Sequence, residues 1–238
     1  NVVLLGISKE DGRRVGVKVP GFVVDLGGMP TLAFHAISEY EDYARRCIDA
    51  TNRCGGKVAR IRKIAFNPPY AVEEYIDGDT LRKKLNEVKR LNKEEALRIA
   101  INVGEALKCL HNSHVYHNDI RPENIIISKG NVILIDVGID EAWNLLRHTL
   151  GRHIKGETHV GARVDEAYTH PLLLEKLKKE NLADEDKAKL DLFQLGLLLY
   201  EMLLGYNPIN TLKVGNLKLL PQDLEELEKI LIKVCSPN

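Results

Sequence analysis

The chain has 238 residues, 44% of them apolar and 29% charged, long enough to bury a core without metals or disulfides and too apolar for a disordered segment. Its 34 basic and 34 acidic side chains cancel, so no bulk field draws it to nucleic acid or to an anionic membrane. Cys47, Cys54, Cys109 and Cys235 lack C-x-x-C or zinc spacing and read as thiols of a reducing compartment, with cytoplasm the default. Glutamine occurs at positions 194 and 222 alone, a composition that leans toward a thermophilic source.

The opening Val2-Val3-Leu4-Leu5 is too short, and too soon followed by Lys9-Glu10-Asp11, for a signal peptide. It reads as a strand entered midway, so further residues are expected before Asn1. Residues 14–19 alternate with period two behind a turn at 9–12, which predicts a hairpin over 2–19. From Thr31 the spacing turns helical through Phe34, Ile37, Tyr40, Ala44, Cys47 and Ile48, and Gly55-Gly56 stops it. Short strands are expected at 57–61 and 70–73. The polar break at 77–80 looks like a domain joint, dividing residues 1–76 from 77–238.

Beyond it the chain turns mainly helical. Asn92-Lys93-Glu94-Glu95 resembles a capping box that opens a helix to about Asn112. A hairpin pairs 125–128 with 132–135 across Lys129-Gly130-Asn131. Residues 138–170 show no periodicity, and a loop of that length is usually functional or mobile. Helices are expected at 191–205 and about 221–234. The apolar run 190–206 contains Asp191, Gln194 and Glu201, so it reads as a buried helix and not a membrane span.

One stretch carries most of the chemistry. His117-Asn118-Asp119-Ile120-Arg121-Pro122-Glu123-Asn124, followed by Asp136-Val137-Gly138, resembles the H-R-D-L-K-P-E-N loop and D-F-G motif of the eukaryotic-type protein kinases. The resemblance covers nearly the whole chain. Asp191, Gly196, Glu201, Met202, Gly205 and Pro208 are similar to the family's D-x-W-S-x-G-x-x-x-x-E-M-x-x-G-x-x-P helix, whose Asp caps the helix and bonds the catalytic loop. Residues 72–81 resemble its hinge, and Val15-Gly16-Val17-Lys18 resembles V-A-I-K.

That resemblance implies an α+β, two-lobed kinase-like fold, with a small strand-rich lobe carrying one helix and a larger, mainly helical lobe. It implies ATP-dependent phosphoryl transfer to a serine or threonine hydroxyl of a protein, with ATP and magnesium (Mg2+) as cofactors and neither nucleic acid nor membrane as partner. A nucleotide-binding pseudokinase and a small-molecule kinase are the alternatives. Asp119 would receive the proton of the attacking hydroxyl, Arg121 would hold the γ-phosphate, and Asn124 and Asp136 would supply hard oxygen ligands to magnesium. The ATP-binding set would be Lys18 as the α/β-phosphate clamp, Glu74 and Ile76 through their main chain, Thr80 beside the hinge, and a helix Glu pairing Lys18. Glu39 is preferred for that pairing because Tyr43 and Ile48 follow it on the inward face, with Glu41 the other candidate.

Several positions depart from the family pattern. No Gly-rich loop precedes Lys18; it is expected before Asn1. Asn118 replaces the Arg of H-R-D, Val137 the Phe of D-F-G, and Leu172 the Glu of A-P-E. Glu73 takes the usually apolar position behind the adenine.

Overall fold

The computed structural model describes residues 2–20, 37–66, 68–139, 141–143, 166–169, 182–210 and 219–235. Strands β1 (Val2–Ile7) and β2 (Arg14–Val19) form the expected hairpin, in register Val2↔Val19 to Ile7↔Arg14. With β3 (Ile61–Phe66) and β4 (Pro69–Glu74) they make one antiparallel sheet in the order β1-β2-β4-β3. Helix α1 (Ile37–Arg53) packs on β3. It buries Tyr40, Tyr43, Ala44, Cys47 and Ala50, a stripe at helical spacing that drives it onto the sheet.

The strand expected at 57–61 begins instead at Ile61. Its alternation is broken by an irregularity between Ile61 and Lys63, which hides the period from a simple reading. Residues 54–58 are a turn region in which Val58 makes an isolated bridge to Leu134.

The second lobe opens with β5 (Asp79–Thr80) and α2 (Leu81–Val88). Helix α3 (Lys93–His111) starts where its cap predicts: Asn92 Oδ1 accepts from Glu95 N–H at 2.9 Å. The box is half closed, because the Glu95 carboxylate turns away to Lys84 Nζ at 2.6 Å. A 3₁₀ turn at Pro122–Asn124 leads into β6 (Ile125–Ser128) and β7 (Asn131–Leu134), a hairpin joined to β5 in a second small sheet. Lys129 and Gly130 have φ of 49° and 84°, the positive pair that a two-residue hairpin turn needs.

Helix α4 (Asp184–Leu204) begins seven residues before the expected Asp191 and ends at left-handed Gly205. Its first turn is Asp184-Glu185-Asp186, which suits the positive end of the helix dipole but shows no apolar period. Asp191 therefore lies two turns inside, fully buried, and does not cap. Helix α5 (Glu225–Cys235) packs against α4. No described helix is long and apolar enough to cross a membrane.

Cysteine usage also differs from expectation. Cys54, just past α1, and Cys109 in α3 form a disulfide, while Cys47 is a buried thiol. The sequence offered no motif for this pairing, because the two residues lie 55 apart and meet only when the lobes pack. The helix start near Thr31, most of 138–170, Leu172 and the segment 211–218 fall outside the described residues.

Candidate active site

The loop 117–121 is irregular, yet the backbone N–H groups of His117, Asn118, Asp119 and Ile120 are all engaged by side chains. Asp191 accepts from His117 N–H (3.0 Å), from Asn118 N–H (2.6 Å) and from His111 Nε2 (2.7 Å). One turn further along α4, Gln194 accepts from Ile120 N–H at 2.8 Å and donates to Asn118 C=O at 3.1 Å. These bonds hold Asn118 at φ 61°, a left-handed conformation that Asn tolerates better than most residues. A single helix face thus serves as template for the loop.

His117 joins the two halves of the site. Its Nδ1 accepts from Asp119 N–H at 3.2 Å, so Nε2 carries the proton and donates to Ile135 C=O at 2.7 Å. Asp119 is thereby fixed relative to the residue before Asp136. Asn124 Nδ2 donates to Asp119 Oδ2 (2.6 Å) and to Asp119 C=O (2.9 Å). Arg121 Nε lies 3.4 Å from Asp119 Oδ2 and 3.9 Å from Glu123 Oε2.

On the opposing sheet, Lys18 is buried and pairs with Glu73 Oε2 at 2.5 Å and with the Asp136 carboxylate. Glu73 Oε1 also accepts from Asp136 N–H at 2.8 Å. Burial pushes the Glu73 carboxyl above its ordinary range, with Lys18 pulling it back down. Glu41 does not reach Lys18; it faces solvent and pairs with Arg45 at 3.4 Å. Glu39 stands on α1, one turn before Tyr43, and its side chain is outside the described residues.

At the hinge, Arg14 stacks 4.5 Å from the Tyr75 ring centroid and bonds Asp77 at 3.2 Å. Glu74 ends β4, and Ile76 lies just past it with no backbone partner for its N–H among the described residues. Thr80 caps α2, accepting from Lys83 N–H at 3.2 Å. Gly78 is forced by close approach: a Cβ there would sit 2.5 Å from Ile127 C=O.

The donor set suits magnesium in kind. Asn124 uses its amide nitrogen on Asp119, and no described donor engages its oxygen. Together with the Asp136 carboxylate this gives two hard oxygens, and no group of three or more candidate metal-ligating side chains exists among the described residues. Magnesium in phosphate chemistry needs one or two protein ligands, with phosphates and water filling the rest.

Sequence reasoning missed two features. One is the Lys18–Glu73–Asp136 cluster, signalled only by a lone charge in an apolar strand, which demands a buried partner. The other is Arg82. It donates to Glu123 (2.7 Å), Glu201 (2.7 Å) and Tyr168 Oη (3.0 Å), and Tyr168 in turn donates to Glu201. No local pattern announces a contact between residues 82, 123, 168 and 201.

A sheet lobe with one helix, set over a helical lobe and a loop templated by α4, defines the two-lobed kinase class of fold. Residues 61–235 match the protein kinase domain family, and the chain belongs to that family. It is 33% identical over 144 residues to a probable serine/threonine-protein kinase of Clostridium perfringens, covering 59% of this chain and 18% of that protein. It is 30% identical over 142 residues to the serine/threonine-protein kinase PrkC of Bacillus subtilis, covering 59% and 20%. The chain thus spans about a fifth of the length of these curated relatives. The crystal structure of the Mycobacterium tuberculosis PknI kinase domain superposes with a TM-score of 0.65 over 99% of this chain and 82% of that one, at 16% identity. That likeness speaks for the fold.

Proposed function

We propose that this chain transfers the γ-phosphoryl group of ATP to a serine or threonine hydroxyl of a protein. The observation that carries the reading is the His117 bridge, which ties Asp119 to the strand end that presents Asp136 while Asn124 holds the Asp119 carboxylate. The names of the curated relatives support the acceptor class.

In this reading Asp119 orients the acceptor hydroxyl and takes its proton on the carboxylate. Arg121, beside that carboxylate, offers a guanidinium to the transferring group. Lys18 meets the α- and β-phosphates, and main-chain groups of Glu74 and Ile76 take the adenine edge, with Thr80 at the mouth of the hinge. Asn124 and Asp136 would hold magnesium, which when bound neutralises phosphate charge. ATP and a protein substrate are the partners. The domain works where ATP is found, the cytoplasm. The disulfide does not exclude that compartment, because intracellular proteins of hyperthermophiles keep such bonds.

The test is incubation with labelled ATP and magnesium, with generic protein acceptors and small alcohols in separate arms. Label should appear on Ser or Thr of the proteins, and Asp119→Asn should lower turnover by roughly 10²–10⁴-fold with nucleotide affinity kept. Equal turnover by wild type and Asp119→Asn would overturn the reading.

A further inference from the structure

Lys18 is fixed from the sheet. In the β2–β4 register Lys18 stands opposite Ala71, and Glu73 follows two residues later on the same face. That diagonal is within reach of two long side chains. Both residues are buried, so neither charge is tolerable without the other. Glu73 divides its carboxylate, one oxygen on the Lys18 ammonium and one on the Asp136 N–H. It therefore holds Asp136 by the backbone and leaves that carboxylate to other work.

We propose that Glu73 is the positioning residue for both Lys18 and Asp136, taking from within the sheet the role that the family resemblance gave to Glu39 on α1. The inference rests on Lys18 acting as the phosphate clamp. Its consequence concerns control. A lysine anchored from its own sheet keeps its aim wherever α1 lies, so nucleotide affinity is insensitive to substitutions that remove carboxylates from α1. A cation at Asp136 would compete with Lys18 for that carboxylate, whereas Glu73 meets Lys18 and the Asp136 N–H through separate oxygens.

The experiment compares Glu73→Gln, Glu73→Met, Glu39→Gln, Glu41→Gln and Lys18→Met. For each, affinity for a non-hydrolysable ATP analogue, kcat and KM for ATP, and the thermal midpoint are measured. Glu73→Met removes one partner of a buried pair and should lower the thermal midpoint, while Glu73→Gln keeps an oxygen for Lys18 and should lower it less, with Asp136 still beside the ammonium. Measured well below each variant's midpoint, both should weaken analogue binding and raise KM by about tenfold or more. Glu39→Gln and Glu41→Gln should stay within about twofold of wild type. The double variant Lys18→Met with Glu73→Gln should lose less than the sum of the two single losses, because residues acting as one unit are not additive.

Loss of binding in Glu39→Gln with none in Glu73→Gln would overturn the proposal. So would losses in the Glu73 variants that vanish once binding is measured at a temperature where the variant is fully folded. If Lys18→Met binds as tightly as wild type, the underlying reading of Lys18 fails first. If Lys18→Met loses affinity and Glu73→Gln does not, the proposal alone fails.

Discussion

At Gly138 the backbone has φ 68°, and an added Cβ would meet Cys47 Sγ at 2.7 Å and Tyr43 Oη at 2.8 Å. Tyr43 Oη donates to the Gly138 carbonyl at 3.0 Å, so α1 rests directly on the turn that carries Asp136. Burial pushes the Cys47 thiol up to about 12, which leaves it a neutral packing group. Gly138→Ala combines a left-handed backbone cost with overpacking, and should lower stability in urea unfolding by about 2–4 kcal/mol. Tyr43→Phe, which gives up one hydrogen bond and no volume, should cost about 1 kcal/mol in the same measurement. Arg82 offers the sharper case. Its guanidinium answers Glu201, which is 5% exposed; burial pulls the Arg82 pKa down, but the hydrogen bonds to Glu123 and Glu201 outweigh it and raise the pKa. Arg82→Met would leave the buried Glu201 carboxylate with Tyr168 as its one side-chain partner among the described residues, at a cost of about 3 kcal/mol by urea unfolding.

Among the elements, α4 does the most to shape the site, and it does so through two side chains. Asp191 accepts three hydrogen bonds, and an amide in its place would turn donors toward donors. Asp191→Asn should therefore lose about 2–3 kcal/mol of stability and lower turnover, while Asp191→Asn and Gln194→Ala combined should fall short of the sum because they hold the same loop. The segment after Asp136 is held in a similar way. Asn118 Nδ2 donates to Glu141 at 3.2 Å, and Glu141 pairs with Lys187 at 2.6 Å. A phosphate brought to this place would meet the Glu141 carboxylate, an amide that cannot neutralise it and a Lys187 ammonium already paired with Glu141. Turnover of the phosphatase-treated protein and of a Thr149, Thr158, Thr169 triple alanine variant should stay within tenfold of wild type. A larger loss with ATP affinity preserved would show that a cation of the 144–165 segment takes the place of the missing Arg.

Across the whole molecule, the Cys54–Cys109 bond joins the end of α1 to α3 and so ties the first lobe to the second. The 55-residue separation corresponds to roughly 4 kcal/mol in the chain-entropy account, an upper figure in practice. Reduction, or Cys54→Ala with Cys109→Ala, should lower the thermal midpoint, and a reduced protein that melts unchanged would show the bond to be energetically idle. The core that this bond crosses is continuous, running from Tyr40 and Ile61 through Leu107 and Ile125 to Tyr200. At the far edge β1 remains apolar and exposed, with Val3, Leu4, Leu5 and Ile7 all more than half accessible, the sort of strand that invites edge pairing.

Short-range chemistry made much of this legible from sequence alone. The 2–19 hairpin, the Asn92 cap and the existence of the hairpin after Ile125 are each decided within a few residues of chain, where backbone preference and hydrogen-bond reach leave little choice. Asn131, however, belongs to the second strand and not, as expected, to the turn. The same locality explains the errors. The start of α4 was misplaced because a polar first turn carries no apolar period, and β3 because an irregularity interrupts its alternation. What only the tertiary structure decided is which distant groups share a buried space: Lys18 with Glu73 and Asp136, Arg82 with Glu123 and Glu201, Cys54 with Cys109. A buried charge or thiol announces in sequence that it needs a partner, but the partner is chosen by strand register and lobe packing.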